Sequence, residues 1–202
     1  MYRLFYNYRT LGDVLMIIFD NESKATRIEK RISSTVLYND EKIIGINLFD
    51  ISKIVRIKAD GMILNPATEF IDVINHILLN DGLDPLLYLK DSGFIVGQVI
   101  EVIDDGDESG LVLVKLDIGS RVIYAETQDK NLQPFSLVVV ALPDVILFDG
   151  STVKIIERNG IYCEGKICTN RDLNFDRDHD GEDIYLVEDN FNVGQDFFME
   201  EK

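Results

Sequence analysis

The run Gly93-Phe94-Ile95-Val96-Gly97-Gln98-Val99-Ile100-Glu101-Val102-Ile103 divides the sequence in two. It is rich in β-branched and aromatic residues and carries no helical period, so it reads as a long strand. Segments of the same kind follow at residues 111–116, 121–127, 136–142, 152–156 and 161–168. Turns rich in Gly, Asp and Asn separate them, such as Asp104-Asp105-Gly106-Asp107 and Asp149-Gly150; these residues tolerate the backbone angles that tight turns need. Five or six short strands within about 110 residues predict a small all-β barrel or sandwich over residues 93–202.

Working back from Gly93, residues 86–92 read as a link, and the pattern before them is mixed. Residues 13–19 (DVLMIIF) predict a buried strand, residues 26–32 a more polar one, and residues 54–57 (IVRI) an alternating one. Residues 36–38 and 42–46 predict a hairpin around Asn39-Asp40. One helix stands out. Asn65-Pro66 supplies an N-cap and a proline at the first helical position. Phe70, Ile71, Ile74, Ile77 and Leu78 then form one apolar stripe, with Asp72 and His76 on the opposite face. Asp81-Gly82, with Pro85 beyond, supplies the stop. Strands followed by one helix predict an α+β domain over residues 1–92.

Charge divides at the same place. The 202 residues carry 20 Lys/Arg and 36 Asp/Glu, a net charge of −16. Residues 1–92 account for −2 and residues 93–202 for −14. Such a balance argues against the usual nucleic-acid binder with a basic surface, with no DNA partner expected, and against attraction to anionic lipid. No apolar run reaches the roughly 18–20 residues of a membrane span. The opening Met1-Tyr2-Arg3-Leu4-Phe5-Tyr6-Asn7 lacks a signal-peptide core, so the expectation is a cytoplasmic protein.

Chemistry-bearing residues are sparse. The two histidines, His76 and His179, have no evident nucleophile partner, and the expectation is a chain that is not an enzyme and takes no cofactor. Neither a phosphate loop nor a G-x-G-x-x-G is present. Cys163 and Cys168 lack further zinc ligands nearby and read as buried, reduced thiols. Asp176-Arg177-Asp178-His179-Asp180-Gly181 has the first half of a calcium loop, in which alternate carboxylates ring the ion. The required Glu at position twelve is displaced by one, since Val187 stands there and Glu188 follows. The expectation is therefore no metal, with Asp176, Asp178 and Asp180 as the candidate ligands if one binds.

Several short motifs recur in a familiar order. They are Phe5-Tyr6-Asn7 before Leu11-Gly12-Asp13-Val14-Leu15, then Ile44-Gly45-Ile46-Asn47-Leu48-Phe49, then Phe94-Ile95-Val96-Gly97-Gln98-Val99. Leu116-Asp117-Ile118-Gly119, Asn131-Leu132 with Val138-Val139-Val140-Ala141, Gly165-Lys166-Ile167-Cys168-Thr169, Arg171-Asp172-Leu173 and Asn192-Val193-Gly194-Gln195-Asp196-Phe197 follow. In this order and spacing the chain resembles the bacterial YtpR-type tRNA-binding proteins. These join a small N-terminal domain of unknown function to an oligonucleotide-binding (OB) barrel similar to that of the phenylalanyl-tRNA synthetase β subunit.

The resemblance implies an α+β domain followed by an OB-type barrel, and a noncatalytic protein that holds tRNA or another structured RNA. The expected RNA contacts are Asn131 and Thr169, at positions within the matching motifs, and the cations Arg121, Lys130, Arg158, Lys166 and Arg171, which are expected to cluster on one barrel face; Lys166 and Thr169 stand where the family has Met and Ser. The sequence also departs from the family. The family's H-P-x-A-D-K-L stretch is replaced by residues 104–111 (DDGDESGL), and of its C-G-A-x-N loop Asn131 remains. The implied RNA surface is thus eroded and acidic, and the RNA binding expected from it is weak. The alternative expectation is a degenerate OB module that binds a protein or a second copy of itself.

Overall fold

A computed structural model describes residues 2–103, 110–175, 183–188 and 190–198. The described residues are mostly β and fall into two compact units, Met1–Lys90 and Asp91–Lys202, each with its own six-stranded sheet.

In the first unit the elements run β1 (Arg3–Tyr6), α1 (Tyr8–Leu11), β2 (Val14–Ile18), β3 (Arg27–Lys30), β4 (Ser34–Asn39), β5 (Lys42–Phe49), a 3-10 turn (Ile51–Lys53), β6 (Gly61–Ile63) and α2 (Thr68–Asn80). The sheet order is β3-β4-β5-β2-β1-β6, and every neighbouring pair is antiparallel. Alternate residues of β1, β2, β4 and β5 point to one side, where Leu4, Leu15, Ile17, Val36, Ile46 and Leu48 are buried with Ile71, Ile74, Ile77 and Leu78 of α2. Burying a side chain of this size stabilises the fold by about 1.5–3 kcal/mol. The helix stops by a Schellman motif: Gly82 has φ +71, its N–H reaches the Leu79 carbonyl, and Leu83 N–H reaches the Leu78 carbonyl.

Two sequence expectations change here. The helix begins at Thr68 with Ala67 at the cap and no side-chain cap bond, so Asn65 is not its N-cap. The amides of Phe70 and Ile71 both reach the Ala67 carbonyl, so the first turn closes after Pro66 rather than on it. Residues 54–57 alternate in burial but form no strand. Val55 and Ile57 are placed by packing on the core rather than by a ladder. Two strands escaped the sequence reading, β1 and β6, which pair with each other.

The second unit contains β7 (Phe94–Ile103), β8 (Val112–Asp117), β9 (Val122–Thr127), β10 (Leu137–Ala141), β11 (Ile156–Arg158) and β12 (Ile161–Ile167). The order is β10-β7-β8-β9-β12-β11, and β10 also pairs with β12. Five strands therefore close into a ring, which removes the open edges of a flat sheet. All pairings are antiparallel except β9 with β12. Val99, Val114, Leu116, Ile123, Ala125, Val138, Val140 and Ile167 fill the interior. A Cβ on Gly165 would lie 2.8 Å from Val140 Cγ1, so a side chain there would collide with the packed ring.

The strand expected at residues 152–156 is also revised. Residues 144–153 fold on themselves: Leu147 N–H reaches the Ser151 carbonyl and Val153 N–H the Val145 carbonyl. Thr152 makes an isolated bridge to Ile146, and β11 begins where the expected strand ends. After β12 the chain makes isolated bridges from Thr169 to Ile184 and from Val138 to Leu186. It then returns to β7, where Gly194 and Gln195 exchange backbone hydrogen bonds with Val96. Phe175, Tyr185, Phe191, Phe197 and Phe198 form a linked aromatic cluster in this closing segment.

Candidate nucleic-acid interface

The parallel pair β9–β12 builds one wall of a groove in the second unit. Cys163 lies opposite Tyr124 and Lys166 opposite Glu126, with an irregularity between the two pairs. The groove has a volume of about 430 Å³ and is closed by the turn after β12, the loop after β9 and Asp149. Lys166, Thr169 and Arg171 line it together. So do Glu126, Asp129, Asp149 and Asp172.

Lys166 meets an acid directly, and Arg171 lies within electrostatic reach of one. Lys166 Nζ lies 2.6 Å from Asp172 Oδ1, and Asp172 is nearly buried. The other oxygen of that carboxylate accepts the Thr169 N–H and hydroxyl, both at 3.0 Å. Asp149 is held below the usual carboxylate range, first by the Ser151 hydroxyl, then by the Ser151 N–H, Lys166 and Arg171. It therefore stays ionised at neutral pH and faces the two cations. Arg171 itself is exposed.

The other implied contacts are placed differently. Arg158 is buried; its guanidinium lies 3.5 Å from Glu126 and donates to the Leu111 carbonyl at 3.0 Å. Its charge is directed into the wall of the groove. Lys130 and Asn131 are exposed on the loop after β9, where Asn131 N–H donates to Asp129 Oδ1 at 2.8 Å. Arg121 precedes β9 and pairs with Glu164 at 2.8 Å. It sits at the far end of β9 from Thr127, which lines the groove; six residues of strand span about 20 Å. Residues 104–109 lie outside the described residues, as do Asp176, Asp178 and Asp180. Among the described residues no group of three or more His, Cys, Asp or Glu is placed to hold a metal ion.

One pair was missed from the sequence. Lys115 of β8 lies directly opposite Tyr124 of β9. Both are half-buried, while their neighbours Val114, Leu116, Ile123 and Ala125 point inward. A cation beside an aromatic ring on the outer face is a combination suited to a phosphate and a stacked base. The signal was the alternation in Val112-Leu113-Val114-Lys115-Leu116, which turns Lys115 outward.

Cys163 and Cys168 are buried free thiols, and the Cys168 thiol donates to the Lys166 carbonyl. Burial pushes both thiols up, Cys168 strongly. His76 is exposed on the outer face of α2. Among the described residues no helix is long and apolar enough to cross a membrane.

No family model matches the chain. Among curated proteins it is similar to YtpR of Bacillus subtilis (strain 168), a protein named for tRNA binding. The identity is 25% over 197 residues, 96% of this chain and 98% of that one. It is also similar to phenylalanine–tRNA ligase β subunits. The identity is 32% over 89 residues for Rhodospirillum rubrum, covering 44% of this chain and 11% of that subunit. For Thermotoga maritima it is 28% over 100 residues, covering 50% and 12%. The resemblance to YtpR thus runs through nearly all of the chain, whereas the match to each of these two synthetase subunits covers about an eighth of it or less.

Proposed function

We propose that this chain is a noncatalytic tRNA-binding protein, with an α+β domain over residues 1–92 and an OB-type RNA-holding barrel over residues 93–202. The five-stranded ring with its single parallel contact supports the barrel. The single observation that carries the site is the groove on which Lys166, Thr169 and Arg171 converge. Lys130 and Asn131 extend it along the loop after β9, and Lys115 with Tyr124 offers a stacking platform on the barrel's outer face. Arg158 acts through Glu126 rather than on RNA, and Arg121 reaches RNA that runs along the strand. The buried thiols argue against a cysteine nucleophile, because a thiolate nucleophile needs an exposed site and a depressed pKa.

The acids set the strength. Binding rests on Lys and Arg neutralising phosphates, and here the groove holds four carboxylates against Lys166 and Arg171. The affinity is micromolar at low salt and the partner is a structured RNA in the cytoplasm. Fluorescence anisotropy with bulk tRNA across a salt series tests this. Expected is micromolar binding that falls steeply with salt and is lost in the Lys166→Glu, Arg171→Glu double variant.

The pairing of Lys166 with Asp172, Arg158 with Glu126 and Arg121 with Glu164 favours a second reading, in which the barrel keeps its shape but binds a protein or a second copy. Absence of tRNA binding at low salt, with a folded protein, selects it over the first.

A further inference from the structure

The ladder between β1 and β6 ends abruptly. It pairs Leu4 with Ile63, Phe5 with Met62 and Tyr6 with Gly61. The same register would set Asn7 against Asp60, Tyr8 against Ala59 and Arg9 against Lys58. The chain turns away instead, because the Asn7 side chain accepts the Thr10 N–H at 3.0 Å and opens α1. Asn is a strong N-cap, so one strand is diverted and the segment opposite it is left alone.

Residues 56–60 nonetheless keep the habit of a strand. Ile57 and Ala59 pack on the core, while Arg56, Lys58 and Asp60 are exposed. That is the period of two of a strand lying on a core. Yet among the described residues the main chain of residues 56–60 donates and accepts no hydrogen bond. Main-chain groups of ordered strands are otherwise paired, and an unpaired row is a template for another strand. A groove of about 490 Å³ lies alongside, between residues 57–60 and the stretch from Tyr6 to Arg9. Its base is fixed: Tyr6, nearly buried, donates to Asp13 Oδ1 at 3.1 Å, and Asp13 also takes the Ser52 N–H and hydroxyl. Arg9, Lys58 and Asp60 line the groove, and among the described residues none of them forms an ion pair. Two unspent cations therefore stand against one acid.

We infer that this groove takes an extended acidic peptide segment of a partner protein as an added strand, its main chain on residues 57–60 and its carboxylates on Arg9 and Lys58. The backbone identifies the class of ligand. N–H and C=O groups alternating at strand spacing are matched by another extended polypeptide, whereas an RNA phosphate would meet carbonyl oxygens as well as amides. Charge then selects the source. A second copy seated on the same groove would gather four cations with two acids, and an acidic segment is met by two cations. None of these residues belongs to the RNA reading.

Anisotropy with a labelled short peptide of alternating glutamate and threonine, titrated with the full chain, tests the inference. Expected is saturable binding that weakens at least about tenfold, a loss of about 1.4 kcal/mol, when every second peptide nitrogen is methylated. That change keeps the charges and removes main-chain donors. Lys58→Glu and Arg9→Glu should each weaken binding about as much, and Lys24→Glu, an exposed cation outside the groove, should not. The amides of residues 57–60 should exchange hydrogen at least about tenfold more slowly with peptide bound. No binding, or equal binding of the methylated peptide, would overturn the added strand. Equal binding of a lysine–threonine peptide, or equal loss in Lys24→Glu, would overturn the acidic partner. A concentration-dependent dimer abolished by Lys58→Glu would assign the groove to a second copy, and tRNA binding abolished by it would assign it to RNA; either result overturns the peptide. Arg9 and Lys58 are exposed, so their variants keep the fold, which a melting curve verifies.

Discussion

Asp172 holds Lys166 and Thr169 at once: its two oxygens take the Lys166 ammonium at 2.6 Å and the Thr169 N–H and hydroxyl at 3.0 Å. Two of the groups proposed to meet phosphate are therefore engaged by one nearly buried carboxylate. Asp172→Asn keeps the shape and removes the charge. It is expected to raise tRNA affinity severalfold and to steepen the salt dependence by about one phosphate contact, a slope change of about 0.7–0.9. The loss of charge-assisted bonds costs about 1.5–3 kcal/mol of stability. Anisotropy and urea denaturation measure the two effects, and they should have opposite sign.

Lys115 and Tyr124 face each other across β8 and β9 on the outer side of the ring. If RNA crosses this face, Tyr124→Ala removes one stacking partner and weakens binding by about 1–3 kcal/mol. Lys115→Gln lowers the salt slope by about one contact and affects all sequences alike. Unchanged affinity in both variants would confine RNA to the groove.

Much of the architecture was legible because its cause is local. Residues 94–103 alternate and branch as a strand must, and they form β7 as expected. The stripe Ile71, Ile74, Ile77 and Leu78 is the buried face of α2. What escaped depends on partners distant in sequence. β1 is four residues long and begins with Arg3, and β6 is three residues and begins with Gly61, so neither has a strand signature of its own. Their mutual pairing orders them, and strand propensity is largely a statement about such context. Residues 54–57 show the converse, a strand-like alternation that core packing alone imposes. At the groove, Lys166, Thr169 and Arg171 were legible through a motif. Of the acids, Asp172 lies within a motif, whereas Asp149 reaches the groove from a separate turn and Glu126 from a separate strand.

Cys163 and Cys168 are buried, and burial raises both thiols above their ordinary range. Reaction needs thiolate and access. Both are expected to resist a thiol-disulfide reagent at pH 8 in the folded protein and to react fully in denaturant. Absorbance of the released thiolate follows it directly.

Asp20 sits in a turn where its carboxylate takes the N–H groups of Ser23 and Glu22, the Ser23 hydroxyl and, at 3.3 Å, the Lys42 ammonium. The Ser23 and Glu22 amides are the main reason its pKa lies far below the usual carboxylate range. Because the folded value is the lower one, the stabilisation is complete above the unfolded value of about 3.9 and is lost as pH falls towards the folded one. Asp20→Asn should lower the melting temperature at pH 7. The gap between wild type and variant should narrow as the pH drops below about 4, which melts at pH 7 and pH 3 would measure.

Gly119 and Gly194 come from two separate motifs and meet in the second unit. Gly119 has φ +78, and a Cβ on it would lie 2.8 Å from Gly194 Cα and 3.0 Å from the Val193 carbonyl oxygen. The β8–β9 turn thus rests directly on the backbone of the closing segment, which in turn hydrogen-bonds β7 through Val96. Alanine at 119 carries two costs: a left-handed backbone, about 1–2 kcal/mol, and displacement of packed backbone, about 1–3 kcal/mol. Gly160 has φ +81 with nothing within 4 Å of its Cβ position, so Gly160→Ala carries the first cost alone. Urea denaturation of both variants separates them. Gly119→Ala should be the more destabilised by at least about 1 kcal/mol. Equal losses would mean that the closing segment yields freely and does not brace the ring.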